Sequence, residues 1–210
     1  MDFNIYKLIR DLSSKRQLFV SEADFQLELA WLIKEQYPNA KVRLEYCPQF
    51  NTTMYIDILV IIDEKWIPIE LKYKTKGCKK IVNNEYYDLK NHSAKDVNCY
   101  AYLIDIQRIE FIKENTTSFR VGYTILLTNE LSYTKEPTSN SVNYYEFSIH
   151  ENNMLHGTLD WGENTSEGTK GREYKDPIIL NGNYTMKWND YSKIDDTSTG
   201  CFKVLINKII

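Results

Sequence analysis

The stretch that decides the fold is residues 55–72, YIDILVIIDEKWIPIELK, in which a short polar segment separates two apolar runs. Apolar runs of this length, rich in isoleucine and bounded by polar residues, are typical of buried strands. We therefore predict strands from Met54 to Ile62 and from Trp66 to Tyr73, joined as a hairpin by residues 63–65.

Charged residues interrupt both strands of this hairpin. Asp57 lies inside the first apolar run, and Glu70 and Lys72 share one face of the second, because side chains alternate between faces along a strand. If residues 63–64 form the turn, Asp57 falls directly opposite Glu70, with Cβ atoms about 4.5–5.5 Å apart. A longer turn, or a bulge at Pro68, would shift this register by one residue.

Two carboxylates opposed in this way repel each other unless a cation lies between them. Their hard oxygen atoms suit magnesium, with manganese as a second option, and no soft ligand set is nearby. Lys72 is placed to orient an attacking water or to help deprotonate it. We predict a catalytic metal site with Asp57 and Glu70 as ligands; the alternative is a structural cluster of ion pairs.

A helix before the hairpin contributes to the same prediction. It is expected to begin after the N-cap Ser21 and to run to about Tyr37, where Pro38 stops it. Glu22 falls on the apolar face of this helix, so it is predicted to add a carboxylate to the metal or to hold one of its waters. Gln26, one turn later, is predicted to bind substrate or a nearby carboxylate. A glutamate in a first turn also favours the helix dipole, so a structural role for Glu22 stays open.

The rest of the chain alternates less regularly. The other predicted elements are helices over residues 3–12 and 85–113 and strands over residues 41–46, 120–127, 144–149, 177–180 and 202–209. The residues spaced for packing in the longer of these helices are Val97, Tyr100, Ala101, Ile104 and Ile109. The order strand, helix, strand predicts a crossover back onto the same sheet. We expect a single domain over residues 1–210, with a core at about 20–127 and a β-rich elaboration at about 128–210.

Composition limits the partners of the protein. A net charge of −3 over 210 residues argues against binding nucleic acid with the whole surface. The lysine run that starts in the second strand predicts a local substrate contact through Lys74 and Lys76, with a solvated loop as the alternative. The four cysteines are far apart in the sequence and there are only three histidines, so the chain lacks the ligand spacing of a zinc-binding motif. Without a signal peptide or an apolar span in the sequence, we expect a cytoplasmic protein with no membrane partner.

Two further groups have both a functional and a structural interpretation. The first would line the cleft or form a solvated face of the long predicted helix; it comprises Asp88, His92, Lys95 and Asp96. The second would stack nucleic-acid bases or pack a loop-rich region; it comprises Trp161, Arg172, Tyr174, Trp188 and Tyr191.

The hairpin residues resemble a known family. Residues 55–57 (YID) and 70–72 (ELK) resemble the two motifs of the PD-(D/E)XK nuclease superfamily, with Ile56 in place of the proline. Glu22 is similar to the acidic residue that members often have in a preceding helix. The resemblance covers roughly residues 20–127.

The resemblance implies a restriction-endonuclease-like fold, a mixed sheet flanked by helices. It implies Asp57 and Glu70 as magnesium ligands, with the Leu71 carbonyl assisting, and Lys72 at the attacking water. The expected function is a DNA endonuclease in restriction, phage defence or repair. An RNA nuclease and a catalytically silent binding or interaction module stay open, and a homodimer would suit a double-strand cut.

Overall fold

The computed structural model of the protein describes residues 2–163, 165–171 and 175–210. Within these ranges the helices are Ile5–Lys15 (α1), Glu22–Gln36 (α2), Lys95–Asn115 (α3) and Glu167–Lys170 (α4). The strands are Lys41–Tyr46 (β1), Ile56–Ile62 (β2), Lys65–Lys74 (β3), Cys78–Val82 (β4), Glu85–Leu89 (β5), Gly122–Thr128 (β6), Met154–Leu159 (β7), Ile178–Thr185 (β8), Trp188–Lys193 (β9) and Cys201–Ile209 (β10). None of the described helices is long and apolar enough to cross a membrane.

Six of the described strands form a central mixed sheet in the order β1–β2–β3–β6–β10–β9. β3 and β6 are parallel and are connected through α3, as the predicted crossover requires, while the other neighbours are antiparallel. α1 and α2 contribute to the apolar core on one side of the sheet and α3 to the core on the other. The predicted mixed α/β architecture, a central mixed sheet flanked by helices, is confirmed.

The register of the β2–β3 hairpin follows from its turn. Asp63 and Glu64 have φ angles of 52° and 59°, the left-handed conformation that a two-residue hairpin turn uses. Pairing runs from Ile62 opposite Lys65 to Ile58 opposite Ile69. The predicted register is therefore confirmed over the paired residues, and one further step along both strands places residue 57 opposite residue 70.

Alternation along β3 sends its side chains to two different environments. Ile69, Leu71 and Tyr73 are buried in the core that α1 and α2 share. Glu70 and Lys72 lie on the opposite face, where both form ion pairs with residues of α3. The charged face of β3 is thus covered by the crossover helix.

α2 begins and ends where its punctuation predicts. The Ser21 hydroxyl accepts a hydrogen bond from the Asp24 backbone N–H at 3.1 Å, and the helix ends at Gln36, two residues before Pro38. Its buried side chains, including Phe25 and Ile33, pack in the core beside β3. This packing brings the first turn of α2 to the end of the hairpin.

The predicted long helix is wrong in its first ten residues. Residues 85–89 form β5, which pairs with β4 in a second hairpin, and the helix starts only at Lys95. Asn83 and Asn84, with φ angles of 53° and 66°, form the turn, and asparagine tolerates this conformation better than most residues do.

The C-terminal residues contribute to the sheet itself. β10 pairs with β6, and β9 forms the edge beyond it, so residues after 127 supply two strands of the central sheet. β7 and β8 form a separate hairpin. The strand predicted at 144–149 is wrong, because Tyr145–Phe147 is a short 3₁₀ helix that buries Phe147.

Candidate active site

Glu70 is the most unusual side chain in the sheet, because it is fully buried and carries a carboxylate. Neither of its oxygen atoms has a hydrogen-bond partner among the described residues. Arg108 Nη2 lies 3.2 Å from Oε1, an ion-pair distance that lacks hydrogen-bond geometry. Burial raises the pKa of Glu70 well above its usual range, and the neighbouring carboxylates of Asp105 and Asp57 raise it further.

Asp57 lies at the point where pairing between β2 and β3 ends. Its Oδ2 accepts a hydrogen bond from the Leu71 backbone N–H at 2.6 Å. Burial raises the pKa of Asp57, while this hydrogen bond and nearby Lys72 lower it. Backbone pairing between β2 and β3 ends at Ile58 and Ile69. Beyond that point the Asp57 carboxylate, in place of a backbone carbonyl of β2, accepts the hydrogen bond from the Leu71 N–H. This hydrogen bond keeps the carboxylate beside β3.

Lys72 is held by a partner that was not predicted. Its Nζ lies 2.7 Å from Asp105 Oδ2, and the two side chains are only 17% and 3% exposed. Burial alone would lower the pKa of Lys72, but the carboxylates of Asp105, Asp57 and Glu22 together raise it. Burial raises the pKa of Asp105 to about 6, against the attraction of Lys72. Lys72 is therefore positively charged at neutral pH.

Arg108 follows Asp105 by one helical turn and contacts the same cluster. Its Nη1 lies 3.8 Å from Asp105 Oδ1, and its Nη2 donates a hydrogen bond to the Tyr55 carbonyl as well as facing Glu70. We call the following five side chains the buried charge cluster: Asp57, Glu70, Lys72, Asp105 and Arg108.

The sequence carries only a weak signal for Asp105. Tyr102 lies three residues before it and Ile109 four residues after it, and both are buried, so Asp105 occupies the apolar stripe of α3. The predicted packing face instead included Val97, which is only partly buried. Ala101 and Ile104 of that face are also only partly buried, whereas Tyr100 and Ile109 are buried as predicted, and Asp105 was overlooked.

Glu22 reaches the same edge of β3 from the first turn of α2. Its Oε2 accepts a hydrogen bond from the Tyr73 N–H at 2.7 Å and lies 3.4 Å from Lys74 Nζ. Asp57 and Glu22 thus accept from the N–H groups of Leu71 and Tyr73, two residues apart along the strand.

Gln26 contacts the candidate site through protein atoms. Its Nε2 donates to the Asp57 backbone carbonyl and to Glu45 Oε1, both at 2.7 Å. This interaction ties α2 to the end of β2. Gln26 therefore binds the backbone of Asp57 and holds the end of β2 in place. Its predicted contact with substrate stays a prediction.

The two predicted substrate lysines have different surroundings. Lys74 lies next to Glu22, as described above. Lys76 follows the end of β3, where its backbone N–H and carbonyl both bond the side chain of Asn129 and its own side chain is exposed. The structure thus brings Lys74 to the site, whereas Lys76 lies beyond it.

The buried charge cluster has some of the features of a binding site for a hard cation. Glu70 and Asp57 supply carboxylate oxygens, the preferred ligands of magnesium, and the buried Glu70 oxygens lack hydrogen bonds within the described chain. Across residues 2–163, 165–171 and 175–210, however, no three carboxylate, histidine or cysteine side chains are already arranged around one point as metal ligands. The residues fit the donor type, with Arg108 occupying one side of Glu70.

The four residues of the first additional group do not share one helix face. Asp88 is in β5 and His92 is in the loop before α3, so neither lies on the predicted helix. Lys95 donates to the Ser132 carbonyl and Asp96 accepts from the Asn143 side chain. These last two residues fasten the start of α3 to the loop after β6.

The aromatic residues of the second group pack inside the protein. Trp161 is buried against Tyr100, with ring centroids 5.2 Å apart. Trp188 Nε1 donates to a backbone carbonyl, and the Tyr191 hydroxyl does the same. The packing interpretation therefore holds for these three; the other two members, Arg172 and Tyr174, lie outside the described residues.

Comparisons of the chain with models of protein families, with curated proteins and with solved structures gave no significant match.

Proposed function

We propose that the protein is a magnesium-dependent nuclease of the PD-(D/E)XK type that hydrolyses phosphodiester bonds, with DNA as its substrate. One observation carries the proposal: the fully buried Glu70 carboxylate, although paired with Arg108, has no hydrogen bond within the described chain and lies beside Asp57 and Lys72. Structural clusters normally satisfy their buried polar atoms, because each unsatisfied group costs about 1–3 kcal/mol. An unsatisfied buried carboxylate is better explained by a ligand that the protein binds.

The ligand that best fits these oxygens is a divalent cation. Asp57 and Glu70 would hold it, and Glu22 would reach it directly or through a water. The buried charge cluster has one more carboxylate than it has cations, an imbalance that a divalent ion would offset. When bound, such an ion would act as a Lewis acid on the scissile phosphate.

Lys72 would act in its charged form. An ammonium group whose pKa is raised by Asp105 is a hydrogen-bond donor and not a proton acceptor. Of the two predicted roles, orientation of the attacking water therefore has more support than its deprotonation. The ion pair with Asp105 would fix the direction in which Lys72 points.

Arg108 would supply a second cation to the reaction. In the structure it faces Glu70 and the Tyr55 carbonyl, with 29% of its side chain exposed. A guanidinium group that moved off Glu70 would be free to bind a phosphate oxygen in two-point geometry.

The topology supports the same proposal. A β2–β3 hairpin with the acidic residues near its open end, followed by a crossover through α3 to the parallel β6, agrees with the restriction-endonuclease-like core that the sequence resemblance implies. The rival is a silent module in which the Lys72–Asp105 and Arg108–Glu70 pairs only stabilise the fold.

A cleavage assay separates these two functions. Circular, linear, branched and single-stranded DNA and RNA should each be incubated with magnesium, manganese or a chelator. We expect cleavage of at least one DNA substrate with either metal, none with chelator, and loss of cleavage in Lys72→Met. Cleavage of RNA alone would make RNA the substrate in place of DNA. Absence of any cleavage would favour the silent module.

A further inference from the structure

A cavity of about 320 Å³ opens beside Glu22. It lies at the C-terminal end of β3, beyond Leu71, the residue that donates to Asp57. Its polar lining residues come from the start of α2, the end of β3 and the loop before α3; they are Ser21, Glu22, Lys74, Thr75, Lys90 and His92. This volume lies at the lower end of the range for small-ligand sites, about 300–1,000 Å³.

Hydrogen bonds fix the loop that forms one wall of the cavity. The Thr75 N–H donates to His92 Nδ1 at 3.0 Å, and the His92 N–H donates to the Thr75 carbonyl at 2.8 Å. The Thr75 hydroxyl donates to the Lys90 carbonyl at 2.7 Å. Lys90 and His92 are therefore held against the end of β3 before any ligand arrives, and this lowers the entropic cost of binding.

The charges in the cavity favour an anion. Lys74 and Lys90 contribute two ammonium groups against the single carboxylate of Glu22, which accepts the Tyr73 N–H and lies 3.4 Å from Lys74 Nζ, so one positive charge of the lining is left without a counter-charge. Lys90 forms no ion pair with any described residue, and its side chain is exposed.

His92 adds a directional donor. Because its Nδ1 accepts the Thr75 N–H, the neutral ring must carry its proton on Nε2. Within the described part of the chain, Nε2 has no hydrogen-bond partner. Burial and Lys74 both lower the pKa of His92, so the neutral ring with one free donor is the form expected at neutral pH.

We infer that this cavity binds a backbone phosphate through Lys74, Lys90 and His92, on the same nucleic-acid strand as the phosphate that is cleaved and beyond its immediate neighbour. The inference rests on the proposed function for the nature of the ligand. Lys74 is four residues beyond Glu70 in β3, about 13 Å along the strand, so one nucleic-acid strand can occupy the cavity and the buried charge cluster together.

Binding without cleavage tests this inference. The affinity of the parent protein for fluorescein-labelled single-stranded and duplex DNA oligonucleotides should be measured by anisotropy in chelator, at several salt concentrations. Lys90→Ala and His92→Gln should each weaken binding by about 3- to 10-fold at low salt. Lys90→Ala should also reduce the slope of log affinity against log salt concentration by about one, the value for one lost phosphate contact.

Lys187→Ala is the matched control, because Lys187 is an exposed lysine just before β9 at the far edge of the sheet. It should bind as the parent does. Inorganic phosphate should compete weakly, with millimolar concentrations releasing the oligonucleotide from the parent more readily than salt of equal ionic strength. Equal losses in Lys90→Ala and Lys187→Ala, or no loss in either cavity variant, would overturn the inference, as would a parent that binds no oligonucleotide.

The outcome is separable from that of the proposed function. Cleavage by the parent in magnesium together with unchanged binding by the cavity variants would refute the cavity alone. Cavity-dependent binding without cleavage in any metal would refute the nuclease and keep the phosphate site. A thermal melt of each variant checks folding. Lys90→Ala changes only an exposed side chain, so the hydrogen bond from the Thr75 hydroxyl to the backbone carbonyl of residue 90 stays in place.

Discussion

Lys72 Nζ lies 2.7 Å from Asp105 Oδ2, an ion pair that connects the third strand of the sheet to the crossover helix inside the protein. The same helix places Arg108 against Glu70. The acidic and the basic residue of the Glu70-Leu71-Lys72 segment are thus each matched by an opposite charge on α3. This arrangement makes the stability of the fold and the charge state of the candidate site depend on the same residues.

Asp105→Asn should destabilise the protein. It leaves the Lys72 ammonium buried without its main partner, and breaking a buried pair in this way costs about 3 kcal/mol or more. Urea denaturation would measure the loss. Lys72→Met/Asp105→Leu, which removes both charges, should recover most of it, and Lys15→Gln, which breaks the exposed pair with Glu35, should change little. An Asp105→Asn protein as stable as its parent would contradict this role.

The stability of the metal-free protein should fall as pH rises from about 5 to about 8. Burial raises the pKa values of Glu70 and Asp57, so the folded protein binds protons more tightly than the unfolded chain does. Their contribution is complete below the unfolded pKa, near 4, and is lost as pH rises through the folded pKa values. Each tenfold difference in proton affinity between the folded and unfolded states corresponds to about 1.4 kcal/mol.

Urea denaturation at several pH values in chelator would check this dependence. Asp195 has its pKa lowered to about 2 by Lys80 and Thr197, so its effect lies below this range. Glu70→Gln should flatten the dependence and should be more stable than the parent at pH 8, because it removes a buried charge. Stability that increases from pH 5 to 8 in the parent would show that these carboxyls are not the dominant groups.

Arg108→Gln should bind divalent cations more tightly than the parent. Arg108 faces Glu70 at 3.2 Å and competes with a cation for it, so its removal favours the metal-bound form. The measurement is the rise in melting temperature as manganese or magnesium is added, since a ligand that binds the folded state stabilises it. The half-saturating concentration should fall several-fold in Arg108→Gln and stay unchanged in Arg43→Gln, a substitution on β1 away from the buried charge cluster. Weaker binding in Arg108→Gln would mean that Arg108 supports the metal site and does not oppose it.

The hairpin at the centre of the fold was predictable because its determinants are local. The apolar run around Asp57, the two-residue turn at 63–64 and strand alternation fixed its register without knowledge of the rest of the chain. The N-cap Ser21 fixed the start of α2 in the same way. These features depend on residues that are close together in sequence.

The missed features depend on contacts between distant segments or on a weak turn signal. Asn83-Asn84 is a less common hairpin turn than Asn-Gly, so β4 and β5 were not recognised. α3 is apolar on several faces, with Cys99, Tyr102 and Ile106 all buried, and helical periodicity could not identify the face that carries Asp105. Partners such as Asp105 for Lys72 become evident only when α3 is packed on the sheet.

The most direct test of the central claim is the rate of DNA cleavage by the parent, Glu70→Gln and Glu35→Gln in magnesium. The account predicts that the parent and Glu35→Gln, whose change is on the exposed surface of α2, cut at the same rate. Glu70→Gln should fold normally but cut at least about 100-fold more slowly, as expected when a metal site loses a ligand. A Glu70→Gln protein that cuts as fast as its parent, or a parent that cuts no DNA, would contradict the assignment of Glu70 as a catalytic metal ligand.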